Sequence, residues 1–448
     1  MKFAPIRRSL VEPLYSILTL SPKITYWKEL EQSQFFSTKQ LRTIQVNRLK
    51  SLLNFVWSQN NFYKQRMKEA GLTPADIGSI EDLQLLPILT KAEIQAHPEI
   101  LLSQGYTVST LQQAKTGGST GTSLQLFFTE ECSELRNACA RRHDCWTGWR
   151  PGEPIAACWG NPKLPQAIKD KVKNILLQPY FYLDTMQVDD ETIRAFARKW
   201  QEIRPTLLYG HAHSIFLLAQ YLNTLKITLP APKGILSTSM MLIPSERKLI
   251  EETFGLRVTD RYGCEEVSLI GSECERHNGM HLNVEHLVIE FIDEKNKPVA
   301  PGTPGRIIVT DLQNRAMPFI RYSVEDVGVP SNRQCPCGRG LPLMEQVTGR
   351  VADFLIKDDG SRVAGVSLIE NTLTKIPGIM QMQIIQNDIR RFVLKIVPDA
   401  HFSQSTVDKL RKYFSQLFGT NVEFHIEQVT KIQPEANGKY RFSICRLP

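Results

Sequence analysis

No run in this 448-residue chain is apolar for long enough to span a bilayer, and no phosphate loop of the form G-x-x-x-x-G-K-[ST] occurs in it. Blocks of Lys and Arg, and basic residues interleaved with aromatics, are missing too, which argues against a surface that tracks a nucleic-acid backbone. There is no internal repeat and no low-complexity tract. Cysteine is sparse: nine residues in a chain this long, with no secretory leader, point to a reducing compartment rather than a disulfide framework. The cytoplasm is the expected location. Between Met1 and Leu20, Arg7 and Arg8 precede Leu10-Val11, but Glu12, Pro13, Tyr15 and Ser16 interrupt the apolar run. We expect neither a signal peptide nor a transmembrane helix there. Leu14 to Leu20 reads as an ordinary buried N-terminal helix, with an interfacial role as the alternative.

What is present is ordinary in bulk. Hydrophobic residues make up 42% and charged residues 22%, so the chain can bury a large core and holds two or three domains. The formal charge of +8 is spread over the whole length, which suits anionic small molecules. Apolar residues recur at helical spacing from Thr38 to Gly71, where Gly71 and Pro74 end the segment. Beyond Gln104 short apolar runs alternate with helical stretches such as Glu131 to Trp146 and Thr192 to Glu202, the pattern of an α/β body with mainly parallel strands. Strands at Thr206 to Tyr209 and Lys233 to Thr238 each run into a helix, and ligands of open α/β folds bind at such junctions. A strand-rich stretch follows from His286 to Thr310. The last hundred or so residues pair two strand-like segments, Met382 to Gln386 and Arg391 to Val397, with a helix from Ser405 to Phe418 that Gly419 would end, a compact α+β unit. A boundary is expected near Gly349 to Asp353.

Thr116-Gly117-Gly118-Ser119-Thr120-Gly121-Thr122 exposes backbone N–H groups and hydroxyls that can wrap polyphosphate oxygens, although alone such a heptad is more often a surface turn. Its companions come in a fixed order: Tyr262-Gly263-Cys264-Glu265-Glu266, then Arg321-Tyr-Ser-Val-Glu-Asp326, then Thr348-Gly-Arg350 before Asp353, then Asn437-Gly-Lys439-Tyr-Arg441. Singly, Glu265 and Glu266 could be a solvated pair, Asp326 a turn residue, and Lys439 an exposed cation. The ordered set resembles the adenylate-forming superfamily of acyl- and aryl-CoA synthetases. It is most similar to the phenylacetate-CoA ligase branch and the capsular-polysaccharide proteins related to it. The similarity runs from about Leu41 to Arg441 and includes Pro87-Ile-Leu-Thr-Lys91.

That resemblance implies an α/β fold: a large multi-layered adenylate-forming body with parallel sheets over 91–350, preceded by a helical segment over 1–90 and followed by a small α+β lid over 351–448. It implies that Thr116 to Thr122 hold the β- and γ-phosphates of ATP and that Glu266 helps bind Mg²⁺. Tyr262, with Gly263 beside it, lies against adenine; Asp326 takes the ribose hydroxyls; Arg350 holds ribose or phosphate; and Lys439 reaches the α-phosphate and the attacking carboxylate. Asp353 is the implied hinge. Four departures stand out. No Lys follows Gly121, Glu265 replaces a Thr or Ser, Ser323-Val-Glu325 replaces Arg-Thr-Gly, and Ser237 to Met241 lacks a Gly-Glu pair.

Cys335-Pro-Cys337 with Cys274 and His281 makes a complete tetrahedral set for structural zinc, with His277 as the competing ligand and a pair of buried or surface thiols without metal as the alternative. The acyl pocket is expected around Trp159-Gly160, Tyr209, His211, His213, Ser239, Met240 and Met241. The expected partners are a small carboxylic acid, ATP and CoA, without nucleic acid, and a homodimer is left open. The resemblance implies a carboxylate-CoA ligase. Transfer to an amine, hydroxyl or carrier-protein thiol is the second reading, and a non-catalytic nucleotide-binding scaffold the third.

Overall fold

A computed structural model describes residues 3–116, 124–159, 162, 167–185, 188–350, 354–433 and 441–447. Thus Gly117 to Thr122, Gly160, Asp353 and Lys439 lie outside the described residues. Two short strands, β1 (Gln112–Lys115) and β2 (Gln125–Phe128), form an antiparallel hairpin around the Gly-rich heptad. The chain then builds one eleven-stranded sheet. Its strands are β3 (Ile155–Trp159), β4 (Tyr180–Asp184), β5 (Leu207–His211), β6 (Gly234–Thr238), β7 (Val258–Cys264), β8 (Ser268–Glu273), β9 (Met280–Leu282), β10 (Leu287–Ile292), β11 (Gly305–Asp311), β12 (Tyr322–Ser331) and β13 (Leu343–Arg350).

The sheet has two halves. From β4 through β3, β5 and β6 to β7 the strands are parallel, joined by crossover helices such as Asp190–Ile203, Ala212–Thr224 and Pro244–Phe254. Their run of buried residues, as in Gly-Ile-Leu-Ser-Thr of β6, suits strands covered on both faces. From β7 onward every pairing in this sheet is antiparallel, and no α-helix stands between any two of these strands in the chain. The expectation of mainly parallel strands therefore holds for the first half only.

The helices Thr38–Gln59 and Asn61–Glu69 place Leu41, Leu49, Leu52, Leu53, Tyr63 and Met67 in one core with Phe319, Tyr322 and Met344 of the antiparallel half. Ser37 and Gln40 close a capping box at the start of the longer helix. The stretch from Leu41 to Leu89 thus shares the core of the body. Leu89 exchanges backbone hydrogen bonds with Arg321 and Ser323, laying the Pro87 to Lys91 segment along β12.

After a small hairpin, β14 (Phe354–Ile356) and β15 (Arg362–Ala364), the C-terminal residues form a separate four-stranded sheet. Its strands are β16 (Ile379–Asp388), β17 (Arg391–Pro398), β18 (Glu423–Gln428) and β19 (Ser443–Cys445), packed with the helices Gly365–Lys375 and Gln404–Phe418 around their own core. Gly419, at φ +99°, ends the second helix as expected.

Candidate active site

Thr116 closes the neck of the Gly-rich loop: its N–H donates to the Leu124 carbonyl at 3.0 Å, and its hydroxyl accepts from the Leu124 N–H at 2.8 Å. Thr116 and Leu124 therefore extend the β1–β2 ladder by one pair. At the end of β7, Tyr262 donates its hydroxyl to Oδ2 of Asp326 on β12 at 2.7 Å. Asp326 in turn lies opposite Arg350 in the β12–β13 register. Strand pairing thus brings together three residues separated widely in sequence.

Glu266 follows in the turn between β7 and β8, where its carboxylate accepts the Tyr322 hydroxyl at 2.9 Å. Its carbonyl accepts from Arg136 at 2.8 Å, and Arg136 also reaches Asp311 at 3.2 Å. Burial, and next the charge of Glu266, push Tyr322 well above the usual phenol range, so it stays a donor. Gly263 is required at the β7 bulge: a Cβ there would stand 2.5 Å from the Ser268 carbonyl. Three of the non-glycine residues with left-handed backbone, Ser268, Arg321 and Glu325, lie on or next to β8 and β12. Such strain collects where a fold fixes a functional geometry.

The expected acyl-pocket residues fall into two groups. Tyr209 lies against Trp159, ring centroids 5.4 Å apart, with the Arg261 guanidinium 5.2 Å from its ring, and Trp159 also covers His211 at 3.9 Å. His213 faces the other way: Nδ1 pairs with the buried Glu246 carboxylate, and Nε2 lies 3.5 Å from Gln381 on β16. Met240 packs with Val397 and Ile432 of the C-terminal unit, and Ser239 is exposed. A cavity of about 140 Å³ lies between the body and the C-terminal unit, lined by His213, Glu246, Gln381, Ile432, Arg441 and Phe442 among others. Arg441, which follows the segment 434–440 that carries Lys439, therefore borders this cavity, as does Ile432 shortly before it.

The four expected metal ligands converge. One ligand atom from each of Cys274, His281, Cys335 and Cys337 lies within 4.8 Å of the others. Two of the sulfurs are 3.7 Å apart, close to the ~3.8 Å edge that two thiolates span on a tetrahedral zinc. Nε2 of His281 approaches Cys337 at 3.3 Å, while its Nδ1–H donates to the Leu341 carbonyl at 3.2 Å, which fixes the ring and turns the other nitrogen into the cluster. Burial pulls His281 down to about 4, keeping a neutral imidazole. His277 instead pairs with Glu273 at 3.3 Å.

Sequence reasoning missed Tyr322, Arg136, Glu246 and Gln381. Tyr322 stood inside a quoted motif; the others depend on helix and strand packing that no local pattern announces.

Residues 355–446 match the family model of the CapK C-terminal domain. Over 436 residues the chain is 24% identical to Protein CapK of Staphylococcus aureus, covering 94% of this chain and 92% of that protein. It is 24% identical over 369 residues to a phenylacetate-coenzyme A ligase of Thermus thermophilus, covering 79% of each. Among solved structures, 2-hydroxyisobutyryl-CoA ligase in its postadenylation state superposes with a TM-score of 0.73 at 20% identity, covering 92% of this chain and 90% of that one. The same ligase in its thioesterification state covers the same shares and superposes at 0.61.

Proposed function

We propose, from the premise that the chain belongs to the adenylate-forming superfamily on its phenylacetate-CoA ligase-like branch, that it activates a carboxylic acid with ATP and passes the acyl group to CoA. The observation that carries this reading is the Tyr262–Asp326 hydrogen bond between β7 and β12, with the Glu266–Tyr322 hydrogen bond joining the same two stretches of chain. A carboxylate oxygen of the acid attacks the α-phosphorus; the bond to the bridging oxygen breaks, and pyrophosphate leaves with that electron pair. The thiol sulfur of CoA then adds to the acyl carbonyl, AMP departs with the C–O bonding pair, and the thiol proton is lost.

In this reading Thr116, Gly117, Gly118, Ser119, Thr120, Gly121 and Thr122 cradle the outer phosphates. Tyr262 and Gly263 border adenine, Asp326 takes the ribose hydroxyls, and Arg350, opposite it, serves ribose or phosphate. Glu266, held by Tyr322, is the protein ligand suited to Mg²⁺, which screens phosphate charge and improves the leaving group. Lys439 supplies the ammonium for developing charge, and Asp353 is the hinge between the body, 91–350 with its helical preamble 1–90, and the lid 351–448. Tyr209, His211 and Trp159 fit an acyl pocket by their ring contacts; His213 and Met240 fit the face that meets the lid. Cys274, His281, Cys335 and Cys337 fit a closed, structural zinc site. The cytoplasm suits these reduced thiols.

Acid-dependent exchange of labelled pyrophosphate into ATP tests the first step, and thioester formation on adding CoA tests the second. No exchange across a broad acid panel sinks the enzyme reading in favour of a nucleotide-binding scaffold. Exchange without a CoA thioester moves the acceptor to an amine, hydroxyl or carrier protein.

A further inference from the structure

Leu14 to Leu20 reads from the sequence as a buried helix with an interfacial role as the alternative, and the structure corrects the first: Leu14, Ile17, Leu18 and Leu20 are exposed. Residues Ala4–Ile6, Arg7–Val11 and Glu12–Leu18 form consecutive helical turns, the middle part π-helical, whose polar side faces the protein. Glu12 is buried in a pair with Arg141, and Arg7 donates to the Gly152 carbonyl at 3.2 Å. Packing there is tight, since a Cβ on Gly152 would stand 2.8 Å from the Ala4 carbonyl. The apolar side faces water instead. Leu10, Leu14, Ile17 and Leu18 recur at helical spacing on that side, and Ile17 and Leu18 are 70% and 74% exposed.

A second helix repeats the arrangement. In Ile168–Leu176 the residues Ile168, Val172, Ile175 and Leu176 have the same spacing, and all are exposed. The two helices adjoin: Arg7 Nε donates to the Ile175 carbonyl at 3.0 Å, and Lys173 Nζ lies 5.4 Å from the Tyr15 ring centroid. Among the described residues, ten of the seventeen exposed large apolar side chains belong to these two segments, and Phe3 and Leu20 flank the first. A patch so concentrated marks an interaction surface rather than scatter.

Charge identifies the partner. Arg8, Lys171 and Lys173 are exposed on the same helices, whereas Asp170 is the one exposed carboxylate among the described residues of these two helices. We propose that the paired faces of Glu12–Leu18 and Ile168–Leu176 dock the enzyme on an anionic lipid bilayer, with the leucines and isoleucines entering the acyl boundary and the cations meeting the headgroups. A second copy of the chain fits less well, because a twofold contact on this face would set cation against cation. Side chains that stand this far clear of the surface suit a fluid layer that closes around them.

The test is co-sedimentation of the full chain with vesicles of phosphatidylcholine alone and of phosphatidylcholine mixed with phosphatidylglycerol. Binding to the mixed vesicles should be about tenfold tighter or more, and should weaken with salt. Leu14→Glu, Ile17→Glu and Leu18→Glu combined should abolish it, leaving the melting temperature and vesicle-free pyrophosphate exchange unchanged. Lys171→Glu with Lys173→Glu should weaken it separately. No sedimentation, or sedimentation that the triple variant retains, overturns the proposal. So does a concentration-dependent dimer that the triple variant dissolves while wild-type protein ignores vesicles, an outcome that assigns the face to a second copy.

Discussion

Asp260 lies on β7 two residues before Tyr262, where Oδ1 accepts the Ser237 hydroxyl at 2.6 Å and the Arg261 N–H at 3.1 Å. Burial, and next the charge of Glu273, push its carboxyl up to about 7. The folded value lies above the unfolded one, so between roughly pH 4 and 7 the native state binds more protons than the unfolded chain. Stability contributed by this group is present below that window and is lost as pH rises through about 7. Asp260→Asn keeps both oxygen contacts without the charge. Thermal melting from pH 5 to 8 should show wild type losing ground against the variant as pH rises, and parallel curves would refute the assignment. At Tyr322 the prediction concerns one hydroxyl. Tyr322→Phe should cost about 1 kcal/mol of stability and raise the Mg²⁺ concentration needed for exchange, because Glu266 loses the donor that orients it. An unchanged Mg²⁺ dependence would separate Glu266 from the metal. Lys439→Ala should lower exchange by about 10²–10³-fold while ATP binding persists, the pattern of a group that acts mainly in the transition state.

Between single residues and the whole molecule stand the elements that the cysteine cluster ties together. Cys274 and His281 come from the end of β8 and from β9, and Cys335 and Cys337 from the loop before β13. That loop also docks on the N-terminal helices: Gly340 N–H donates to the Gln34 carbonyl at 2.8 Å, and a Cβ on Gly340 would overlap the Phe36 carbonyl. Losing the metal should therefore loosen the seam between the N-terminal helices and β13. Elemental analysis should find about one zinc per chain, and Cys335→Ser with Cys337→Ser should lose it and melt several degrees lower. Full stability without metal would leave the four ligands a thiol cluster only. These elements also show what the sequence made legible. Helices with a clear period and stop, such as Gln404–Phe418 ended by Gly419 at φ +99°, are readable because local chemistry decides them. That Cys274, His281, Cys335 and Cys337 come together was expected from the sequence. The antiparallel half of the sheet was not, since pairing of β9 with β13 across some sixty residues leaves no local trace. Nor was the outward apolar face of Glu12–Leu18, because an amphipathic helix has the same pattern whichever way it is turned.

At the scale of the molecule, the body and the C-terminal unit meet through a small, mixed contact. Leu217 and Met240 of the body pack with Val397, Val429 and Ile432, and His213, fixed by Glu246, lies against Gln381. The superposition is better on the postadenylation form of 2-hydroxyisobutyryl-CoA ligase than on its thioesterification form, at equal coverage of both chains. Under the function proposed above, this contact is expected to be one of the two arrangements that two-step chemistry asks of a lid. Weakening it should bias the molecule away from that arrangement without touching the nucleotide motifs. A ligand-independent contact of this size shifts a two-state balance by the free energy that it loses, and about 1.4 kcal/mol moves the populations tenfold. Gln381→Ala combined with Ile432→Ala should slow acid-dependent pyrophosphate exchange several-fold, yet leave the reaction of CoA with preformed acyl-adenylate as fast as in wild type or faster. Equal slowing of both half-reactions would mean that the contact serves stability alone, and slowing only of the thiol step would place the described arrangement on the other side of the cycle.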